Sequence, residues 1–190
     1  MLPLPCRMDK HSEFVVKARL RQSKIWRVFY TKPRSEKRAA RRLEQDGHQI
    51  LLPLRTSIRQ WSDRKKLVEE PLFSGYLFAH VDEKERLGVL QDEAIVRCVA
   101  FGGKLTVVTA KDIALLKILL TVPDRLEAIE REAFPLGSEV YIDRGPLRGV
   151  LGRVSNHPKT HYLIVEVPSI HQAIRVHVPA DWVRRPAGFA

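Results

Sequence analysis

Residues 59–78, RQWSDRKKLVEEPLFSGYLF, join a basic segment to an aromatic one. The pattern predicts strands near 65–71 and 76–81, around a turn at Phe73–Gly75. Residues 59–64, which include Trp61, are then the tip of a hairpin. One short segment therefore carries a charged tip followed by an apolar strand.

The residues before this segment predict two strands and a helix. IWRVFYT (25–31) is rich in β-branched and aromatic residues, which favours a strand. RSEKRAARRLEQD (34–46) has one apolar and one basic face, which predicts a helix. HQILLPLRTSIR (48–59) alternates and predicts another strand.

The residues after it predict a helix at 83–92, a strand at 94–101 and a hairpin at Gly102-Gly103. Thr109 and Asp112 are spaced as in a capping box, which predicts a helix over about 110–121. The order β-α-β-β-β-α-β-β-α indicates an α+β fold, in which helices pack against an antiparallel sheet.

The C-terminal part lacks a helical period and consists of short strands separated by turn residues. A small five-stranded SH3-like β-barrel is therefore predicted. Its expected strands are 138–143, 149–155, 162–167, 173–178 and 182–185.

Four segments follow from these patterns. They are a flexible arm at 1–24, an α+β domain at 25–121, a linker at 122–133 and the barrel at 134–186. The linker has few apolar residues, so the two domains are expected to tumble independently.

The positive charge is concentrated in the first third of the chain. The net charge is +11, and residues 1–66 alone hold 18 Lys/Arg against 6 Asp/Glu. Such segregation favours a polyanion partner on one face. The alternative is a solubilising surface.

The sequence offers no positive sign of an enzyme, a metal site or a cofactor. GPLRGVLG (145–152) lacks the spacing of a phosphate-binding loop and is interpreted as a turn with positive-φ glycines. The C-terminal histidines match no zinc spacing. Two cysteines and no long apolar run favour a cytoplasmic protein without a membrane span.

A basic constellation follows the first strand and occupies the hairpin tip. Such cations suit phosphates, and an aromatic residue among them can stack on an unpaired base. The alternative is an ordinary solvated helix face with a tryptophan packed on its own hairpin. The candidate nucleic-acid-binding residues are Lys32, Arg34, Arg38, Arg42, Trp61, Arg64 and Lys65.

An aromatic constellation forms if strand 25–31 lies beside strand 76–81. Tyr30 is then near Phe73, Tyr76 and Phe78. An aromatic patch with a polar rim fits a protein partner, whereas the same residues could equally be a plain core.

These residues together resemble the NusG family of transcription elongation factors. The resemblance covers roughly 25–186. The N-terminal residues that carry it are Trp26, Tyr30-Thr31-Lys32-Pro33-Arg34, Leu52-Pro53, the basic hairpin, Pro71-Leu72-Phe73, Gly75-Tyr76-Leu77-Phe78 and Phe101-Gly102.

The C-terminal residues resemble the KOW motif, with Gly137, Asp143, Gly145, Pro146 and Gly149. Within the family, TKPRSEK, RQWSDRKK and EEPLF look most like the specialised RfaH- and UpxY-like paralogues.

The resemblance implies a monomeric regulator that binds the clamp helices of RNA polymerase and suppresses pausing or termination in long operons. The implied polymerase-binding residues are Tyr30, Leu52, Phe73, Tyr76 and Phe78. In RfaH-like members a basic face binds the non-template DNA strand. That face maps here onto Lys32, Arg38, Arg42, Arg64 and Lys65.

The KOW barrel of the family recruits the ribosome or Rho. Two departures bear on these expectations: Ser74 stands where the family usually has proline, and Ile170 stands where an aromatic is common. Two alternative functions stay open, a general NusG-type factor and a KOW-type RNA-binding protein. The β-branched content of YLIVEV and AIRVHV favours a barrel over a helical C-terminal state.

Overall fold

The computed structural model describes residues 23–60, 65–130, 136–155 and 162–185. Its N-terminal part is built on an antiparallel sheet with the strand order β2-β5-β1-β6, and β9 pairs with the start of β1. The strands of this sheet are β1 (Ile25–Thr31), β2 (Gln49–Leu51), β5 (Tyr76–Val81), β6 (Ile95–Cys98) and β9 (Val107–Val108).

Three helices and two small ribbons complete this part. The helices are α1 (Glu36–Gln45), α2 (Glu83–Val89) and α3 (Ala110–Leu119). One ribbon pairs β3 (Leu54–Gln60) with β4 (Lys65–Pro71), and the other pairs β7 (Ala100–Phe101) with β8 (Lys104–Leu105).

The main sheet buries both of its faces because successive side chains of a strand point to opposite sides. Phe29 belongs to a buried cluster with Leu43 of α1 and Val89 of α2. Its neighbour Val28 belongs to a second cluster with Leu116 of α3. The predicted α+β arrangement of helices against an antiparallel sheet is confirmed.

Two of the three helices, α2 and α3, begin at side chains that cap them. The Asp82 carboxylate accepts from the Glu85 N–H at 2.8 Å, and Glu85 Oε2 accepts from the Asp82 N–H at 3.1 Å. The Thr109 hydroxyl accepts from the Asp112 N–H at 3.1 Å, as the sequence predicts. These bonds satisfy amides that a helix start leaves without partners.

The predicted strand 48–59 is divided in two at Leu52-Pro53. β2 joins the main sheet and β3 leaves it to form the hairpin with β4. Proline has no N–H to donate, so a ladder breaks readily at Pro53. The predicted strand 94–101 is likewise divided into β6 and β7.

The C-terminal part is a small antiparallel β-barrel with six strands in the order β10-β14-β13-β12-β11-β15. Its strands are β10 (Leu126–Glu130), β11 (Leu136–Ile142), β12 (Leu151–Ser155), β13 (Leu163–Val167), β14 (Gln172–Val176) and β15 (Val183–Arg184). Five of them correspond to the predicted strands.

The additional strand, β10, lies in the segment that the sequence assigned to a linker. It pairs with β14 from Leu126↔Val176 to Glu130↔Gln172. Leu126 is buried there. The charged composition of residues 124–132 made this edge strand look like a linker, because only three apolar residues, Leu126, Ala128 and Ile129, lie among its charges.

The two parts of the chain share one buried cluster. Phe78 and Leu116 of the N-terminal part belong to the same cluster as Val165 and Ile170 of the barrel. The Ser169 hydroxyl donates to the Asp112 carboxylate. The rings of Phe101 and His171 lie 4.2 Å apart, centroid to centroid. The expectation of two independently tumbling domains is therefore wrong.

Candidate functional site

The register of the main sheet brings the predicted aromatic residues together. β1 pairs with β5 so that Tyr30 is opposite Tyr76 and Val28 is opposite Phe78. The rings of Tyr30 and Tyr76 meet edge to face at 5.7 Å, and those of Phe73 and Phe78 lie 6.3 Å apart. The prediction that strand 25–31 lies beside strand 76–81 is thus confirmed.

The exposure of these aromatic residues differs. Tyr30 is 37% exposed and Tyr76 is half-buried, whereas Phe73 and Phe78 are 3% and 0% exposed. Phe73 and Phe78 are members of the shared cluster, because their side of the sheet is covered. Only Tyr30 and Tyr76 can therefore meet a partner without rearrangement.

Leu52 lies apart from the aromatic residues. It packs, partly buried, on the cluster that contains Phe29 and Leu43 on the other face of the sheet. Ile50, two residues earlier, packs on the same cluster, so Leu52 keeps to the face that strand alternation gives it. The structure therefore does not group Leu52 with Tyr30 and Tyr76.

The turn between β4 and β5 fixes the Tyr30 ring. Gly75 has a φ of 78°, and a Cβ at this position would lie 3.0 Å from Tyr30 Cε2. The Gly75 N–H donates to buried Glu36 Oε1 at 2.9 Å, and its carbonyl accepts from the Thr31 N–H at 2.8 Å. The turn is thereby attached to both β1 and α1.

Arg97 is a candidate site residue that sequence reasoning missed. Its guanidinium lies 5.7 Å from the centre of the Tyr30 ring, and the residue is exposed on β6. Tyr30 is opposite Arg97 in the β1–β6 ladder. The ladder register, which no local pattern reveals, brings this cation to the aromatic pair.

Three of the predicted nucleic-acid-binding cations lie on the surface: Lys32 and Arg34 between β1 and α1, and Arg38 on α1. Lys32, Arg34 and Arg38 are all exposed. Arg34 adopts a φ of 60°, which is uncommon for residues other than glycine. Arg38 Nη2 is 3.7 Å from Glu93 Oε1, a loose contact that leaves most of the side chain in solvent.

Arg42, a fourth predicted cation, is held in ion pairs. Its Nε and Nη2 donate to the two oxygens of Asp92 at 2.9 and 2.7 Å, and Nη1 donates to Glu93 Oε1 at 2.7 Å. Burial raises the pKa of the Asp92 carboxyl, but hydrogen bonds from Arg42 and from the Ala94 N–H outweigh it and hold the pKa below its usual value. The geometry makes Arg42 a structural tie between α1 and the turn before β6.

The hairpin of β3 and β4 is a two-stranded ribbon whose last described pair is Gln60↔Lys65. Trp61 and Arg64 lie outside the described residues. Lys65 begins β4, and its role in binding nucleic acid stays a prediction.

The five residues that resemble the KOW motif lie on β11 or in the connection from β11 to β12. Gly145 and Gly149 have φ values of 72° and 87°, as expected for turn glycines. The Asp143 N–H donates to the Trp182 carbonyl at 2.9 Å, and Arg184 Nε is 3.1 Å from Asp143 Oδ2. The motif therefore ties this connection to the residues around β15. The five residues are Gly137, Asp143, Gly145, Pro146 and Gly149.

Within the part of the chain that the structure describes, no three His, Cys, Asp or Glu side chains are grouped as a metal ion would require. No helix in the described ranges is both long enough and apolar enough to cross a membrane.

A family model described as "Transcription termination factor nusG" matches residues 24–117. Residues 24–117 belong to the NusG family. This NusG domain covers the main sheet, the hairpin, α1, α2 and most of α3. The chain therefore carries the core of a NusG-family transcription factor.

Solved structures agree with this fold. The structure titled "Domain interaction in Thermotoga maritima NusG" is 19% identical, covers 87% of this chain and 98% of that chain, and has a TM-score of 0.53. At this identity the likeness concerns the fold alone.

The MjSpt4:Spt5 complex in conformation A is 16% identical and covers 84% of this chain and 96% of that chain, with a TM-score of 0.28. The sequence matches none of the curated proteins.

Proposed function

We propose that this protein is a specialised NusG-like elongation factor that suppresses pausing or termination in long operons. Its NusG domain binds the clamp helices of the largest RNA polymerase subunit, and its basic surface binds the non-template DNA strand. Membership of a family whose proteins bind RNA polymerase supports the first contact. The chain acts without a cofactor, as a cytoplasmic monomer.

One observation carries this proposal. Exposed Tyr30 at the end of β1 meets half-buried Tyr76 of β5, and exposed Lys32 and Arg34 follow Tyr30 within four residues. An aromatic patch suits the apolar centre of a protein interface. Cations next to it suit phosphates. A single domain can thereby hold polymerase and DNA side by side.

A pull-down of bacterial RNA polymerase tests the polymerase contact. We expect the wild type to retain polymerase. Tyr30→Ala and Tyr76→Ala should each bind polymerase at least tenfold more weakly. Aromatic residues at interface centres commonly contribute 2 kcal/mol or more, which is about a thirtyfold change in affinity. Tyr162→Ala, a tyrosine on the barrel, is the matched control and should bind as the wild type does. Equal retention by all four proteins contradicts the assigned surface.

The alternative is a general NusG-type factor that couples polymerase to Rho or the ribosome through the barrel. Ile170, on the loop where an aromatic residue is common in the family, is fully buried, and its neighbour Ser169 bonds to Asp112. This engagement supports the specialised function over the general one. A genome-wide occupancy profile separates them: binding at a few operons fits the first, and binding at most transcription units fits the second.

A further inference from the structure

Arg97 ends a row of three side chains that crosses the main sheet. β5, β1 and β6 are adjacent strands, and their registers place Tyr76 opposite Tyr30 and Tyr30 opposite Arg97. Side chains that are directly opposite in an antiparallel ladder share a face and lie about 5 Å apart. The two tyrosine rings meet edge to face, and the Arg97 guanidinium lies 5.7 Å from the centre of the Tyr30 ring. The three side chains therefore form one continuous surface.

A β-bulge lies at the Arg97 end of this row. Arg97 is opposite Tyr30 in the ladder. The next residue of β1, Thr31, is opposite Ile95, so Val96 is an extra residue of β6. Bulges re-aim side chains and are frequent next to functional sites. Val96 is 54% exposed, and Arg97 is exposed as well. The bulge thus presents an apolar and a cationic side chain beside the aromatic pair.

The charge of Arg97 has no carboxylate partner within the described residues. Arg42, by comparison, is bonded to both Asp92 and Glu93. The described contact of the Arg97 guanidinium is with the Tyr30 ring. An aromatic ring attracts a cation through its quadrupole and leaves the full charge in place. The Arg97 charge is therefore available to a partner.

We propose that Arg97 forms an ion pair with a carboxylate on the polymerase surface that the aromatic pair contacts, and that this ion pair determines specificity. Tyrosine and arginine are enriched among the residues that dominate the energy of protein interfaces. A guanidinium matches a carboxylate with two parallel hydrogen bonds, which fix orientation as well as strength. The inference rests on the proposed function and names the chemistry of the polymerase side, an apolar surface with an acidic residue beside it.

A DNA phosphate is the other anion that an arginine suits. Lys32 and Arg34, which are assigned to DNA, follow Tyr30 along the chain toward α1, whereas Arg97 is on the neighbouring strand. Because the Arg97 guanidinium is only 5.7 Å from the centre of the Tyr30 ring, a protein surface that covers Tyr30 also reaches Arg97. This proximity favours the protein carboxylate, and polymerase without nucleic acid separates the two anions.

The experiment measures the affinity of the full-length chain for core RNA polymerase without nucleic acid, over a range of salt concentrations. Arg97→Met keeps an unbranched side chain and removes the charge. We expect roughly tenfold weaker binding, since hydrogen bonds between charged groups are stronger than neutral ones. The salt dependence should also decrease, because salt screens an ion pair. Arg97→Lys should bind with intermediate affinity, since an ammonium keeps the charge but not the planar fork.

A charge exchange identifies the carboxylate. Arg97→Glu should bind more weakly than Arg97→Met, because two like charges then meet. Each Asp and Glu of the polymerase clamp helices is replaced in turn by Lys. One replacement should restore binding by Arg97→Glu and weaken binding by the wild type. A merely structural role of Arg97 would give no such rescue.

Arg148→Met is the matched control, since it removes an exposed arginine from the barrel and should leave the affinity for polymerase unchanged. Unchanged binding by Arg97→Met, or the absence of any Lys replacement that restores Arg97→Glu, would overturn the ion pair. Weaker binding of Arg97→Met to single-stranded DNA, with unchanged affinity for core polymerase, would make Arg97 a phosphate contact instead.

The two proposals fail in different ways. Weaker binding by Tyr30→Ala together with unchanged binding by Arg97→Met would overturn the ion pair and leave the proposed polymerase contact in place. Failure of the wild type to bind polymerase at all would overturn both.

Discussion

Gly145 and Gly149 have the same backbone conformation in the connection between β11 and β12 but different surroundings. A Cβ on Gly145 would lie 2.3 Å from Trp182 Cζ3, whereas no atom lies within 4 Å of a Cβ on Gly149. Positive φ costs a residue with a Cβ about 1–2 kcal/mol. Only Gly145 adds a steric clash to that cost.

We therefore expect Gly149→Ala to lower the free energy of unfolding by about 1–2 kcal/mol. Gly145→Ala should lower it by a further 1–3 kcal/mol or so, because Trp182 must move. Urea denaturation of both variants measures the difference. An equal loss of unfolding free energy in the two variants would mean that Trp182 moves aside without destabilising the fold.

Sequence patterns correctly predicted that some candidate-site residues lie together, because their positions follow from strand alternation. Tyr30 and Tyr76 meet as the strand pattern predicts. The burial of Phe78 and the ion pairs of Arg42 were not predictable, since both depend on remote residues. Arg42 and Asp92 are 50 positions apart. A basic helix face does not indicate which of its cations forms an ion pair with a carboxylate that is remote in the sequence.

Helix α1 is tied to the turn before β6 by the ion pair of Arg42 and Asp92. The pKa of Asp92 is below its usual value in the folded protein. A lowered carboxyl pKa adds stability above the unfolded pKa, near 3.9, and that stability is lost as the pH falls through the lower folded value. The loss therefore occurs below about pH 4.

Asp92→Asn should flatten the fall in the free energy of unfolding below about pH 4, compared with the wild type. Glu44→Gln, which removes an exposed carboxylate from the same helix, is the matched control and should leave the wild-type slope in place. Urea unfolding at each pH gives the slopes. A wild-type slope in Asp92→Asn would exclude this ion pair as its source.

At the level of elements, most helices and strands could be predicted because their signals are local. β4 and β5 have the predicted bounds, and α3 begins at the predicted cap. β10 was missed because a short edge strand inside a charged segment resembles a linker. The division of 48–59 was missed because alternation alone does not say which sheet a strand joins.

The whole molecule has a buried cluster that runs through both of its parts. Leu116 of α3 and Ile170 of the barrel belong to it. Elements that share one core lose their packing together. We expect calorimetry to show a single thermal transition, with equal calorimetric and van't Hoff enthalpies. Two separated transitions would show that the barrel and the NusG domain are independent folding units.

The shared cluster also has a consequence for how the chain is made. β10 to β15 lie at the C-terminal end, so ribosomes complete the NusG domain before the barrel exists. Synthesis at about 5–20 residues per second makes the last 60 or so residues in roughly 3–12 s. During that interval the growing chain presents apolar surface that only its own last third will cover, which makes the nascent NusG domain a candidate for chaperone binding on the ribosome.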